Sequence, residues 1–93
     1  MLNIKILGTG CARCYALEQA ARGALQQLLQ EIPDLPATLE HIRDILAIEQ
    51  YPVLLTPALV VNEKVVCAGR LPKREEILAW YRQALSGNGQ KAG

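Results

Sequence analysis

Leu2-Asn3-Ile4-Lys5-Ile6-Leu7-Gly8-Thr9-Gly10-Cys11-Ala12-Arg13-Cys14 is the stretch that decides the fold. Its first six residues are apolar but for Asn3 and Lys5, and partly β-branched. Gly8-Thr9-Gly10 ends them, so the segment reads as a buried strand. The period then changes. Cys14, Leu17, Ala21, Ala24, Leu28 and Ile32 recur at steps of three or four, which is one helical face, with Glu18, Arg22, Gln26 and Gln30 on the other. Two cysteines therefore stand where a strand passes into a helix. The thiolate is the reactive form of cysteine. A helix N-terminus stabilises it with unpaired N–H groups and partial positive charge, and Arg13 adds a full charge beside it. A three-residue step puts Cys14 one turn below Cys11, within reach for a disulfide, with Cys11 the more exposed thiol.

Downstream, Pro33 stops the helix and residues 33–36 form a turn. Ala37–Ile42 alternates as a second strand, and Asp44–Tyr51 is expected as a short helix with Ile45, Leu46 and Ile48 as its apolar residues. Pro52 and Pro57 deny regular structure to the stretch between them. Ala58–Val61 and Lys64–Ala68 are strands joined at Asn62-Glu63. Left-handed backbone is unfavourable for glutamate, so a turn longer than two residues is expected. Pro72 suits the first turn of a last helix, Glu75 and Glu76 its positive end, and Ile77, Leu78, Tyr81 and Leu85 its apolar stripe. The order β-α-β-α-β-β-α predicts an α/β fold. Its strand–helix–strand crossover implies parallel pairing and its hairpin antiparallel pairing, giving a four-stranded mixed sheet flanked by three helices. One domain over residues 1–86 and a flexible tail over 87–93 are expected.

The 93 residues, 51% hydrophobic, suffice for one aliphatic core without phenylalanine. A net charge of +1 gives none of the basic surface that phosphate backbones select, so nucleic acid is not an expected partner. The first residues are too short for a signal sequence and no run reaches membrane length, so a cytoplasmic, monomeric protein is expected. Three cysteines in a reducing compartment suit catalysis or metal binding better than a structural framework.

Rival readings of the same cysteines involve metal. Cys67 and His41 are candidates to complete a zinc site, although each reads as a strand residue. A soft-metal carrier for copper or zinc is the alternative function. Copper chaperones also place CxxC between a first strand and a first helix. They end on a strand, however, and usually carry Met where Thr9 stands. Taken singly, Cys67 reads as a buried strand residue and His41 as an exposed strand end. Trp80 and Tyr81 read as packing groups. Arg70 and Lys73 read as a solvated surface rather than a grip on an acidic ligand such as glutathione.

The chain resembles the minimal thioredoxin-like family of redox-active disulfide proteins. The residues that carry the resemblance are Gly8-Thr9-Gly10-Cys11-Ala12-Arg13-Cys14, Tyr51, Thr56-Pro57-Ala58-Leu59-Val60-Val61-Asn62 and Gly69-Arg70-Leu71-Pro72, over about residues 2–85. The resemblance implies a thioredoxin fold and a thiol–disulfide oxidoreductase without a cofactor. In it Cys11 attacks a substrate disulfide and Cys14 resolves the mixed disulfide. It also implies a cis peptide bond before Pro57, with the proline facing the cysteines and obstructing metal binding. Thr56 would present its backbone to a substrate strand, with Arg13 nearby. The implied partners are a protein or small-molecule disulfide and a reductase or thiol donor. There are departures. Larger members carry a buried acid in the first strand, where this chain has only Lys5, so proton transfer at Cys14 needs another route, such as water. Gly10 replaces the usual tryptophan, and Pro52 and Glu63 stand where relatives often have glycine.

Overall fold

The structure, a computed structural model, describes residues 1–10, 12–53 and 55–86. Its elements are β1 (Leu2–Leu7), α1 (Ala12–Glu31), β2 (Ala37–Ile42), α2 (Ile45–Ile48), β3 (Ala58–Val61), β4 (Lys64–Ala68) and α3 (Arg74–Ser86). The expected order holds, and the four strands form one sheet in the order β2-β1-β3-β4. β1 pairs parallel with β2 and antiparallel with β3, and β3 and β4 form the hairpin. The expected tail, 87–93, lies outside the described residues.

Strand position explains strand composition. The inner strands β1 and β3 are covered on both faces, so β3 is buried throughout, whereas the edge strand β2 alternates. Leu2, Ile4, Ile6, Leu59, Val61 and Cys67 face α1 and α3, where they meet Leu17, Ala21, Ala24, Leu28, Ile77, Leu78 and Tyr81. Tyr81 crosses this layer and donates its hydroxyl to the Ala21 carbonyl at 3.0 Å, so the buried phenol keeps a partner. The opposite face carries a smaller cluster of Leu7, Ile48, Ala58 and Val60. A register shift between Leu59 and Val60 lets Cys67 pair with Leu59 while Val65 pairs with Val60.

Four expectations change. Ile32 is 41% exposed, because α1 ends at Glu31 and the apolar stripe stops at Leu28. The second helix is four residues, not eight. Asp44 caps it, and Ile45 and Leu46 stay exposed, so only Ile48 docks it. The hairpin turn is two residues, with Asn62 at φ 50° and Glu63 at φ 65°. Side chains hold that left-handed pair in place. Asn62 Oδ1 accepts from the Asn3 amide at 2.7 Å, and Glu63 accepts from Lys5 Nζ at 2.7 Å and from the Tyr51 hydroxyl at 3.2 Å. This also accounts for a lysine in an inner strand, which gives its ammonium group to Glu63 and Tyr51. Pro72 precedes α3 instead of opening it. Glu76 reaches back to accept from the Lys73 amide at 2.9 Å, the carboxylate half of a capping box at the start of that helix.

Candidate functional site

β1 ends at Leu7, and Gly8-Thr9-Gly10 carries the chain to α1, which starts at Ala12. Gly10 has φ +110°, which disfavours any side chain there. Cys11, the expected nucleophile, lies outside the described residues. Cys14 is 1% exposed in the first turns of α1. A methyl group built on Gly8 would collide with its Sγ, so the sulfur rests against the bare backbone where β1 ends.

The other expected site residues come from the loops before β3 and after β4. Thr56 is exposed, Pro57 is buried, and the peptide bond between them is cis. The amide of Gly69, at φ +82°, donates to the Pro57 carbonyl at 2.9 Å. Arg13 Nη2 donates to the Gly69 carbonyl at 3.1 Å. One glycine therefore ties the start of α1 to the Pro57 loop. A side chain at Gly69 would meet Leu55, which is 63% exposed.

Cys67 is 8% exposed and belongs to the main core, and burial pushes its thiol up from the ordinary value. It packs among the apolar residues of that core. Cys67 and His41 lie on opposite edge strands, about 14 Å apart at the ordinary strand spacing, so they do not assemble into one zinc site. Among the described residues no three His, Cys, Asp or Glu side chains cluster to hold a metal ion. Arg70 is bound by Glu76, at 3.2 Å to Oε1 and 3.0 Å to Oε2, so its charge is already matched. Arg70 first, then the Lys73 amide, holds the Glu76 carboxyl at about 2.

His41 departs furthest from its sequence reading. Its side chain is 7% exposed, not at a free strand end. Nδ1 lies 2.9 Å from Glu18 Oε1, Nε2 lies 3.1 Å from the Gly8 carbonyl oxygen, and the ring meets Tyr15 edge-on. Glu18, expected on the solvent face of α1, turns toward β2 instead. Arg22 first, and then His41, holds its carboxyl below the ordinary range. One signal was present in the sequence: Glu18 is four residues after Cys14, so the two share a side of the helix. Which strand residue that side meets depends on packing, and spacing along the chain does not encode it.

No helix among the described residues is long and apolar enough to cross a membrane. Residues 2–82 match the thioredoxin domain family. A curated thioredoxin from Methanothermobacter thermautotrophicus is 35% identical over 77 residues, covering 83% of this chain and 94% of that protein. A second, from Methanocaldococcus jannaschii, is 28% identical over 87 residues, covering 94% of each.

Proposed function

The chain belongs to the thioredoxin domain family, and from that premise we propose that it is a thiol–disulfide oxidoreductase working through Cys11 and Cys14. The observation that carries the proposal is the Cys11-Ala12-Arg13-Cys14 motif at the junction of β1 and α1 in a chain of this family. In the proposed reaction the Cys11 thiolate attacks one sulfur of a substrate disulfide. A mixed disulfide forms and the first substrate thiolate leaves. Cys14 loses its proton and attacks the Cys11 sulfur, the Cys11–Cys14 bond forms, and the second substrate thiolate leaves. Two electrons pass from the dithiol to the substrate. A reductase or thiol donor returns them.

Burial supports the division of roles. Cys14 is enclosed against Gly8, which suits a thiol that attacks its chain neighbour rather than an incoming protein. Thr56, Pro57 and Arg13 are proposed as the substrate side. The hydrogen bonds from Arg13 to Gly69 and from Gly69 to Pro57 support grouping Arg13 with Pro57. The exposed Thr56 next to them leaves its backbone accessible to an extended substrate segment. The working unit is proposed to be residues 1–86, acting as a cytoplasmic monomer.

Trapping tests the proposal. Cys14→Ser keeps the attacking thiol and removes the resolving one, so mixed disulfides with a disulfide-bearing protein such as insulin should accumulate. Cys11→Ser should trap none. Equal trapping by both variants, read on non-reducing gels, would contradict a directional dithiol.

A further inference from the structure

His41 lies opposite Ile6 in the β1–β2 register, on the sheet face that α1 covers. The titratable and charged groups around it come from every neighbouring element. α1 supplies Glu18, Cys14 and Tyr15. β1 supplies the Gly8 carbonyl. Arg22 donates to Glu18 Oε2 at 2.8 and 3.1 Å, and Arg43 donates to the Tyr15 hydroxyl at 2.7 Å. A methyl carbon built on Gly8 would collide with Cys14 Sγ and lie 3.9 Å from His41 Nε2, so the thiol and the imidazole border the same small volume.

The hydrogen-bonding inventory narrows what this ring can do. A neutral imidazole has one N–H and one lone pair. Arg22 and His41 favour the ionised form of Glu18, so the carboxylate accepts from Nδ1–H. Nε2 is then the basic nitrogen, on the side of Cys14. When Nε2 takes up a proton, the new N–H has an acceptor waiting in the Gly8 carbonyl at 3.1 Å. The protonated ring therefore has an acceptor for each N–H, and the neutral ring leaves the Nε2 lone pair without a hydrogen bond from the Gly8 carbonyl, open to the proton of a neighbouring acid.

We infer that His41 is the acid–base group for Cys14, held in its working tautomer by Glu18. The inference rests on the dithiol reading above. In the resolving step the Cys14 S–H gives its proton to His41 Nε2, and the thiolate attacks the Cys11 sulfur. The Cys11–substrate bond breaks, and the departing thiolate takes a proton from the imidazolium or from water. In the reverse direction the imidazolium returns the proton to Cys14 as the internal disulfide opens. Glu18 is a positioning residue and does not touch the sulfur.

Dithiobis(nitrobenzoate) separates the two steps. The first coloured thiolate reports attack on the reagent, and the second reports displacement by Cys14, while the buried Cys67 reacts later. The quantity to follow is the ratio of the second rate to the first, between about pH 5 and 9. His41→Gln should lower that ratio by about tenfold or more and flatten its dependence on pH. Glu18→Gln keeps an acceptor oxygen but not the charge, and should lower the ratio less. If His41→Gln does not fold, Glu18→Gln carries the test. A ratio within about twofold of wild type in the folded variants, or equal slowing of both phases, overturns the role of His41. A wild-type protein that releases no second equivalent overturns the dithiol reading itself, a different outcome.

Discussion

At Gly8 the lack of a side chain is what lets Cys14 sit against β1. The Cys14 sulfur lies so close that a methyl group on Gly8 would collide with it. Gly8→Ala should therefore cost about 1–3 kcal/mol, the range for overpacking a close-packed interior, and should slow the second release from dithiobis(nitrobenzoate). Urea denaturation checks the first effect, and unchanged stability would mean the sulfur has room to move. At this scale the sequence was legible where chemistry follows from residue type. Cys67 behaves as the small apolar strand residue it was read to be. His41 and Glu63 were misread for one reason. Each is a polar residue whose conformation depends on a partner remote in sequence: Glu18 for the imidazole, Lys5 and Tyr51 for the carboxylate.

At the level of elements, periodicity sufficed wherever a segment buries a continuous stripe. β1, β2, β3 and β4 have the boundaries their patterns imply, and α1 runs as far as its stripe stays covered. The second helix was overestimated, because an apolar pattern shows which residues can be buried and not whether a surface is there to cover them. Ile45 and Leu46 meet none. α1 also holds a testable weakness. Gly23 lies mid-helix, and the nearest atoms a methyl group there would meet belong to the guanidinium of Arg74, 2.6 Å away at Nη2, at the far end of a flexible side chain. Gly23→Ala should then stabilise the protein by about 0.5–1 kcal/mol through helix propensity. A loss of stability in thermal unfolding would show that Arg74 must lie on a bare helix surface for α1 and α3 to pack.

For the whole molecule, ionisable groups set a pH window. Glu18 and Glu76 are both held below the ordinary carboxylate value of 4.5, Glu18 by Arg22 and then His41, Glu76 by Arg70 and then the Lys73 amide. A depressed folded value contributes stability that is present above the unfolded value and lost as pH falls through the folded one. Cys67 and Tyr81 are pushed up by burial from 9.0 and 10.0, so their contribution is present below those values and lost as pH rises past them. Denaturation midpoints should form a plateau between about pH 5 and 9 and fall on both sides. Stability that still climbs above about pH 9 would contradict the burial of these two groups. Function at this scale depends on whether Cys11 and Cys14 form one redox couple. The direct measurement is a titration of the wild-type protein in glutathione buffers, with mass mapping of its disulfides and a metal assay of the purified protein. The account predicts a single two-electron transition joining Cys11 to Cys14, with Cys67 left as a thiol and no stoichiometric metal. A bridge to Cys67, no reversible bridge at all, or tightly held metal on the two motif cysteines would contradict it.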